Sequence, residues 1–208
     1  MRPNEKLSLT EKNRSAIQKL TATALLTALV VVLQLFASGI KLGNVSMTFS
    51  LVPIVLGAIL YGPLVGGVLG GVFGLVVTIV VVTGADVGGY MMFEKLPALT
   101  IFLCMLKGIA AGVAAGWVYR AFRKIGKPIV GVLLAAVACP VTNTAIFCIF
   151  LLSFYRDVAT AWMGGTTYSN LFVYALLGIA GLNFLVELAI NVILAPAIER
   201  VIYAIRRR

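Results

Sequence analysis

The stretch Leu171–Ile205, LFVYALLGIAGLNFLVELAINVILAPAIERVIYAI, decides the fold of this chain. It is long and apolar enough to cross a bilayer, which takes about 20 residues of helix. Asn183, Glu187 and Asn191 interrupt it at a spacing of four residues, which places all three on one helical face. Because a carboxylate at mid-membrane costs about 2.5–3.5 kcal/mol on insertion scales, this face is expected to point into a protein interior or a wet cavity. The stretch therefore predicts a helix that other spans surround.

The composition extends this prediction to the whole chain. Of 208 residues, 61% are hydrophobic and only 12% are charged. A soluble domain carries about 25% charged residues, so the chain is predicted to be an all-α integral membrane protein with a single domain. It has no His, and its three cysteines show no CxxC spacing, so no metal site, cofactor or disulfide framework is expected.

Apolar runs and helix breakers predict six transmembrane helices within residues 1–208. The break Tyr61-Gly62-Pro63 divides one overlong apolar run, because proline removes a hydrogen-bond donor and clashes with a continuing helix. Segments 84–96 and 155–170 are expected to be loops on the outer side. A polar leader is predicted at residues 1–15, followed by spans at 16–36, 48–60, 64–83, 97–119, 128–154 and 171–205.

Basic residues cluster at the N-terminus, in one central loop and at the C-terminus. The positive-inside rule places all three clusters, and hence both termini, in the cytoplasm. Nucleic-acid binding is a rival explanation for the net charge of +10, but the charges flank spans instead of forming one basic stripe. The clusters are Arg2, Lys6, Lys12, Arg14 and Lys19; Arg120, Arg123, Lys124 and Lys127; and Arg200, Arg206, Arg207 and Arg208.

Two stripes of glycine predict close helix packing, because small residues let helix backbones approach one another. The pattern is consistent with packing inside this subunit and equally with a contact to another subunit. The stripes are Gly66, Gly70 and Gly74 in the third span and Gly108, Gly112 and Gly116 in the fourth.

Polar residues at similar depths on three spans mark a candidate site. Lys107 lies ten residues after Pro97, at a depth of about 15 Å for a rise of 1.5 Å per residue. One interpretation is a structural Lys107–Glu187 ion pair supported by amide hydrogen bonds. The other is a solute cavity that opens to the outside between spans four, five and six, with aromatic residues of the outer loops covering it. The candidate binding residues are Lys107, Thr142, Asn143, Asn183, Glu187, Tyr90 and Trp162.

Five segments, taken in order, resemble one family of transporters. The resemblance is to the substrate-binding S component of an energy-coupling factor (ECF) vitamin transporter, and it covers nearly the whole chain. The segments are Ala24-x-x-x-Ala28, SLVPIVLGAILYGPLVGGVLGGVFGL at 50–75, PALTIFLCMLKGIAAGVAAGWVYR at 97–120, PVTNTAIF at 140–147 and NFLVELAINVILAP at 183–196.

The resemblance implies a subunit of the bacterial plasma membrane, with six helices and both termini inside, that captures a vitamin or vitamin precursor on the outer side. It also implies a membrane-embedded coupling subunit, contacted by Ala24 and Ala28, and two ATPase subunits. The chain itself has no G-x-x-x-x-G-K-[ST] phosphate loop, so the energy of ATP must come from a partner.

Pantothenate is the preferred substrate, and riboflavin, folate and a cobalamin precursor are the alternatives. Lys107 suits an anion, Thr142 and Asn143 suit hydroxyl and amide groups, and the segments at 140–147 and 183–196 resemble pantothenate-type members of the family. Two other classes of protein are alternatives. An intramembrane enzyme is disfavoured because Glu187 has no second carboxylate at its depth. A structural or sensory membrane subunit would bind no small molecule tightly.

Overall fold

The computed structural model describes residues 3–39, 41–42, 45–46, 48–164 and 166–206. Across these residues the chain is helical apart from short connections and one antiparallel pair of two-residue strands, which confirms the all-helical prediction. The elements are α1 (Pro3–Ser38), β1 (Lys41–Leu42), β2 (Val45–Ser46), α2 (Leu51–Tyr61), α3 (Pro63–Val82), α4 (Val87–Lys95), α5 (Pro97–Lys124), α6 (Pro128–Phe154), α7 (Arg156–Met163), α8 (Leu171–Val173), a π-helix (Tyr174–Gly181) and α9 (Leu182–Arg206).

Five helical segments in the described part of the chain are long and apolar enough to cross a membrane. They are Ala16–Ser38, Pro63–Val82, Pro97–Lys124, Pro128–Phe154 and Leu171–Pro196. Helix α2 is also apolar but has only 11 residues, or about 16 Å of helix against a hydrocarbon core of about 30 Å. Most of its residues are buried by α1, α3, α5 and α6, so α2 lies within the bundle and not at its lipid-facing edge.

The link between α2 and α3 is a single residue, Gly62. Its φ of 96° lies in the left-handed region that favours glycine. A Cβ at this position would also lie 2.6 Å from the guanidinium of Arg120 on α5. Pro63 then begins α3, where the missing N–H costs nothing. The sharp turn allows the short α2 to fold back beside α3.

The glycine stripes of α3 and α5 pack against each other inside the subunit. A Cβ added to Gly70 would lie 2.0 Å from the carbonyl oxygen of Gly108, and one added to Gly112 would lie 2.0 Å from that of Gly66. These separations are far below a van der Waals contact, so no larger side chain fits while the two backbones keep this spacing. Of the two explanations for the stripes, the structure shows internal packing.

Two segments predicted to be loops contain helices instead. Helix α4 lies within 84–96 and α7 within 155–170. In α7, Val158, Ala159 and Trp162 share one buried face, which is a helical pattern too short to stand out in a sequence. In α4, paired glycines hide the pattern, since glycine lowers helix propensity. Packing against the ends of the long helices stabilises both.

The last span differs from the single continuous helix that was predicted. It begins as one turn of α-helix, widens into the π-helix Tyr174–Gly181 and continues as α9. Asn170 starts it, because its Oδ1 accepts hydrogen bonds from the backbone N–H groups of Phe172 and Val173 at 2.8 and 3.4 Å. Helix α1 likewise begins earlier than predicted, at Pro3, and therefore includes most of the leader.

Candidate functional site

A cavity lies at one end of the bundle, formed by the C-terminal ends of α1 and α3 and the N-terminal half of α5. The basic turn between α5 and α6 is at the opposite end. The cavity encloses about 590 Å³ of empty space, part of it open to solvent. Helix α4 covers it, and α6 and α7 each contribute one aromatic side chain, Phe147 and Trp162.

Lys107 is the basic residue in the cavity wall. Its ammonium nitrogen lies 5.8 Å from the ring centroid of Phe73 and 5.5 Å from that of Phe147. Both rings attract the cation through their π faces and hold it on the cavity side of α5. Among the described residues that line this cavity no other cation is present. A positive charge flanked by aromatic rings in a largely apolar cleft suits an anionic group of a small molecule.

Hydroxyl and amide groups occupy the wall formed by α1. Gln34 lines the cavity, and its Oε1 accepts a hydrogen bond from the Ser50 hydroxyl at 3.0 Å. The amide nitrogen of Gln34 lies 3.4 Å from the Ser38 hydroxyl oxygen, to which it donates. These contacts hold Gln34 at the cavity edge, with Ser38 and Thr48 beside it. They supply polar groups that fix the orientation of a ligand without adding charge.

A buried polar cluster lies behind the cavity, between α6 and α9. Glu187 is 1% exposed, Asn191 2% and Asn143 5%. Neither carboxylate oxygen of Glu187 has a hydrogen-bond partner among the described residues, so Lys107 makes no direct ion pair with it. Lys107 nevertheless lies close enough to act on the Glu187 carboxylate electrostatically, and the side chains of Thr48 and Asn143 lie near that carboxylate. Of the two interpretations of these residues, a direct Lys107–Glu187 ion pair is absent from the described part of the chain, and the attraction between the two groups acts over a longer distance.

Helices α4 and α7 form a roof over the cavity, and side chains connect them. The indole N–H of Trp162 donates to the Met91 sulfur at 3.3 Å. The Tyr174 hydroxyl donates to the Trp162 carbonyl at 2.9 Å, which ties the roof to the last span. On the outer surface of the roof, Lys95 of α4 forms an ion pair with Asp157 of α7. Hydrogen bonding to Lys95 lowers the pKa of Asp157 below its usual value.

The structure brings some of the sequence-predicted residues together and leaves others apart. Lys107 and Trp162 line the cavity, and Asn143 and Glu187 lie in the cluster behind it. Thr142 and Tyr90 are not among the described residues of the cavity wall, and the Tyr90 ring packs near Phe93, with centroids 6.4 Å apart. The side chain of Asn183 lies outside the described part of the structure.

Sequence reasoning missed several polar residues of the wall, namely Gln34, Ser38, Thr48, Asp86 and Thr100. Most belong to α1 and to the connections after α1 and α3, whereas the prediction looked for the site between spans four, five and six. The last span contributes no described residue to the wall. One signal was available for Asp86: it is an acidic residue directly after an apolar span, within a glycine-rich segment.

A bundle of apolar helices with a partly polar cavity at one end is the arrangement of a membrane protein with a candidate site for a small solute. Residues 18–199 match the family model described as the ECF transporter, substrate-specific component. Because this match covers most of the chain, the protein belongs to that family. It is a multi-pass membrane subunit of a transporter and not an enzyme. Neither a curated protein nor a solved structure matches the chain.

Proposed function

We propose that this chain is the high-affinity substrate-binding subunit of an ECF-type importer in the plasma membrane of a bacterium. It captures a water-soluble vitamin or precursor at the outer face and passes it inward with a coupling subunit and two ATPase subunits. The observation that carries the proposal is the cavity, in which the Lys107 ammonium lies between two aromatic rings. Family membership supports the partner subunits, because the family is that of the substrate-specific component.

Pantothenate is the substrate that we propose. It carries one carboxylate, for which Lys107 is suited, and hydroxyl and amide groups, for which Ser38, Thr48 and Thr100 offer hydrogen-bond partners. These residues take the role first assigned to Thr142, which is not among the described residues of the cavity wall. Riboflavin has no anionic group to use the lysine, and folate has two carboxylates. Riboflavin, folate and a cobalamin precursor are the alternatives.

The direct test is to identify what the detergent-purified chain binds. We expect mass spectrometry of the purified protein to find pantothenate, and isothermal titration of ligand-free protein to give saturable binding at one site. Riboflavin, folate or a cobalamin precursor in its place would change the substrate and keep the function. If no small molecule is retained and none of the four binds, the chain is a structural or sensory subunit instead.

The topology follows from the basic clusters, and labelling checks it. We propose six spans, with α2 as the short one, and the cavity end of the bundle outside. Glu94 and Lys124 are exposed at opposite ends, and the native cysteines are at most 6% exposed. In a background with those cysteines changed to Ala, an impermeant thiol reagent should label Glu94→Cys but not Lys124→Cys in intact cells. The reverse pattern would invert the topology.

The coupling subunit is proposed to bind α1 at Ala24 and Ala28. Both residues are exposed, whereas Leu26, Val30 and Gln34 form the side of α1 that packs into the bundle. Changing both alanines to Leu adds bulk where a close helix approach is proposed. Uptake into cells is expected to fall at least ten-fold, about 1.4 kcal/mol of lost association, while ligand binding by the isolated subunit stays unchanged.

The matched control for that double variant is Ala145→Leu, which adds the same bulk at an exposed position of α6. It should leave uptake near the wild-type level. Co-purification with the coupling subunit reports the contact directly. Loss of ligand binding in the isolated Ala24→Leu, Ala28→Leu variant, with normal assembly, would show that this face packs internally.

The Lys95–Asp157 pair is predicted to have only a small effect on ligand release. The lowered pKa of Asp157 means that the pair is intact above about pH 4, the usual range of the carboxyl, and is lost as the pH falls through the lowered value. Because Asp157 is largely exposed and Lys95 is partly exposed, Asp157→Asn should speed pantothenate release about three-fold at most at neutral pH. Stopped-flow release at low and high salt measures this, with Glu94→Gln as the control. If Asp157→Asn speeds pantothenate release more than ten-fold, the Lys95–Asp157 pair controls release and this prediction is wrong.

A further inference from the structure

We infer that the bound substrate lies along the bundle axis, with its anionic group at Lys107 and hydrogen-bond donors at its other end on the carboxylate of Asp86. The inference rests on the proposed function, since it takes the cavity to be the substrate site. It adds the orientation of the substrate, its chemical class and a second specificity-determining residue.

The packing of α3 against α5 sets the two charges at different depths. The two helices run antiparallel, and the close contact of Gly70 with Gly108 places Lys107 at the level of Gly70. The backbone N–H of Asp86 donates to the Val80 carbonyl at 3.3 Å, so Asp86 lies near Val80. Ten residues of α3 separate these levels, or about 15 Å of helix.

The side chains shorten this separation to the length of a small molecule. A helical side chain leans toward the N-terminus of its helix, so Lys107 reaches from α5 toward the Asp86 end. The Cys104 thiol, one turn along α5, lies within electrostatic range of both Lys107 and Asp86. The distance left between the two charged groups is on the order of 10 Å, roughly that of an extended chain of seven or eight atoms.

The start of α4 holds Asp86 in the cavity wall. Asp86 is the residue directly before α4. A Cβ at Gly89 would lie 2.9 Å from the Asp86 Oδ2, so the absence of a side chain there makes room for the carboxylate. Asp86 and Gly89 both line the cavity. The carboxylate is therefore placed to meet a ligand at the outer end, where α4 covers the site.

The Lys107 ammonium at one end of the cavity and the Asp86 carboxylate at the other define a class of substrate. A carboxylate accepts hydrogen bonds and donates none, so Asp86 favours hydroxyl, amide or ammonium groups and repels a second anion. The site thus selects an elongated molecule with an anion at one end and hydrogen-bond donors at the other. Pantothenate has this form, with a carboxylate at one end and two hydroxyl groups at the other.

The test is isothermal titration of the purified full chain with three probes. The first is pantothenate. The second is panthenol, in which an alcohol replaces the carboxylate, and the third is an N-acyl-β-alanine of similar length that has no hydroxyl groups. Wild type should prefer pantothenate to both analogues by at least about ten-fold, since each analogue loses a hydrogen bond to a charged group. Asp86→Asn should keep the preference over panthenol and lose most of the preference over the hydroxyl-free analogue. Lys107→Met should show the opposite pattern.

The Asn substitution preserves size and the ability to precede a helix, and Glu94→Gln on α4 is the control for loss of an exposed acid. If Asp86→Asn discriminates the probes as wild type does, the assignment of Asp86 is overturned while the proposed function stands. If wild type binds no pantothenate, the proposed substrate is wrong, and the inference is then tested by the chemistry of the ligand that co-purifies with the chain. A ligand with an anion and donors at opposite ends supports it. A ligand without both, or no ligand at all, overturns it.

Discussion

Replacing Lys107 with Met is expected to raise the Kd for pantothenate at least ten-fold, and up to about a hundred-fold. Methionine keeps the length and most of the apolar surface of the side chain but removes the charge that the Phe73 and Phe147 rings hold in the cavity. A hydrogen bond to a charged group is worth about 1.5–3 kcal/mol, and each 1.4 kcal/mol is a factor of ten in affinity. Isothermal titration measures the change.

A second substitution separates the ligand contact from the fold. Removing Lys107 takes away a cation that attracts the buried Glu187 carboxylate and leaves that buried charge less well compensated, so the melting temperature of the single variant should also fall. The double variant Lys107→Met, Glu187→Gln leaves no such charge, so its melting temperature should return toward that of wild type. Its affinity should stay as weak as that of Lys107→Met. If the double variant is stable and binds pantothenate with near-normal affinity, Lys107 is not a ligand contact and the proposed site is wrong.

Changing Gly70 to Ala is expected to cause one of the largest losses of stability of any single methyl group added to the described bundle. The new Cβ would lie 2.0 Å from the Gly108 carbonyl oxygen and 2.6 Å from its carbon. These are backbone atoms, so α3 and α5 must move apart along their whole contact. Overpacking typically costs about 1–3 kcal/mol and occasionally more, and we expect this change at the upper end because it separates two helices.

Gly71→Ala is the matched control, one residue along the same helix. There the added Cβ meets only the Ile109 side chain, at an ordinary contact distance of 3.6 Å. Thermal unfolding of both variants in the same detergent should show a clear drop in melting temperature for Gly70→Ala and little change for Gly71→Ala. Equal melting temperatures would mean that the two backbones are not packed as closely as described.

Several features of this protein follow from local sequence properties alone. The low charge content and long apolar runs indicate a helical membrane protein, because a bilayer leaves no other way to satisfy the backbone of such segments than helices or closed barrels. The Gly62-Pro63 pair indicates a chain reversal, since the constraint acts within two residues. The position of Lys107 on a span and the buried polar face of Glu187 and Asn191 follow from spacing along one helix.

Only the tertiary structure decides which of these helices share the cavity. The cavity is lined mainly by α1, α3, α4 and α5, so Gln34 and Asp86 line it together with Lys107, whereas Thr142 and Tyr90 are not among its described lining residues. Likewise, the glycine stripes in the sequence predicted that some helices approach closely. That Gly70 packs against Gly108 depends on the rotation of each helix about its own axis. The periodicity of a helix tells which residues share a face. Which neighbour that face meets depends on the packing of the whole bundle, to which residues distant in the sequence contribute.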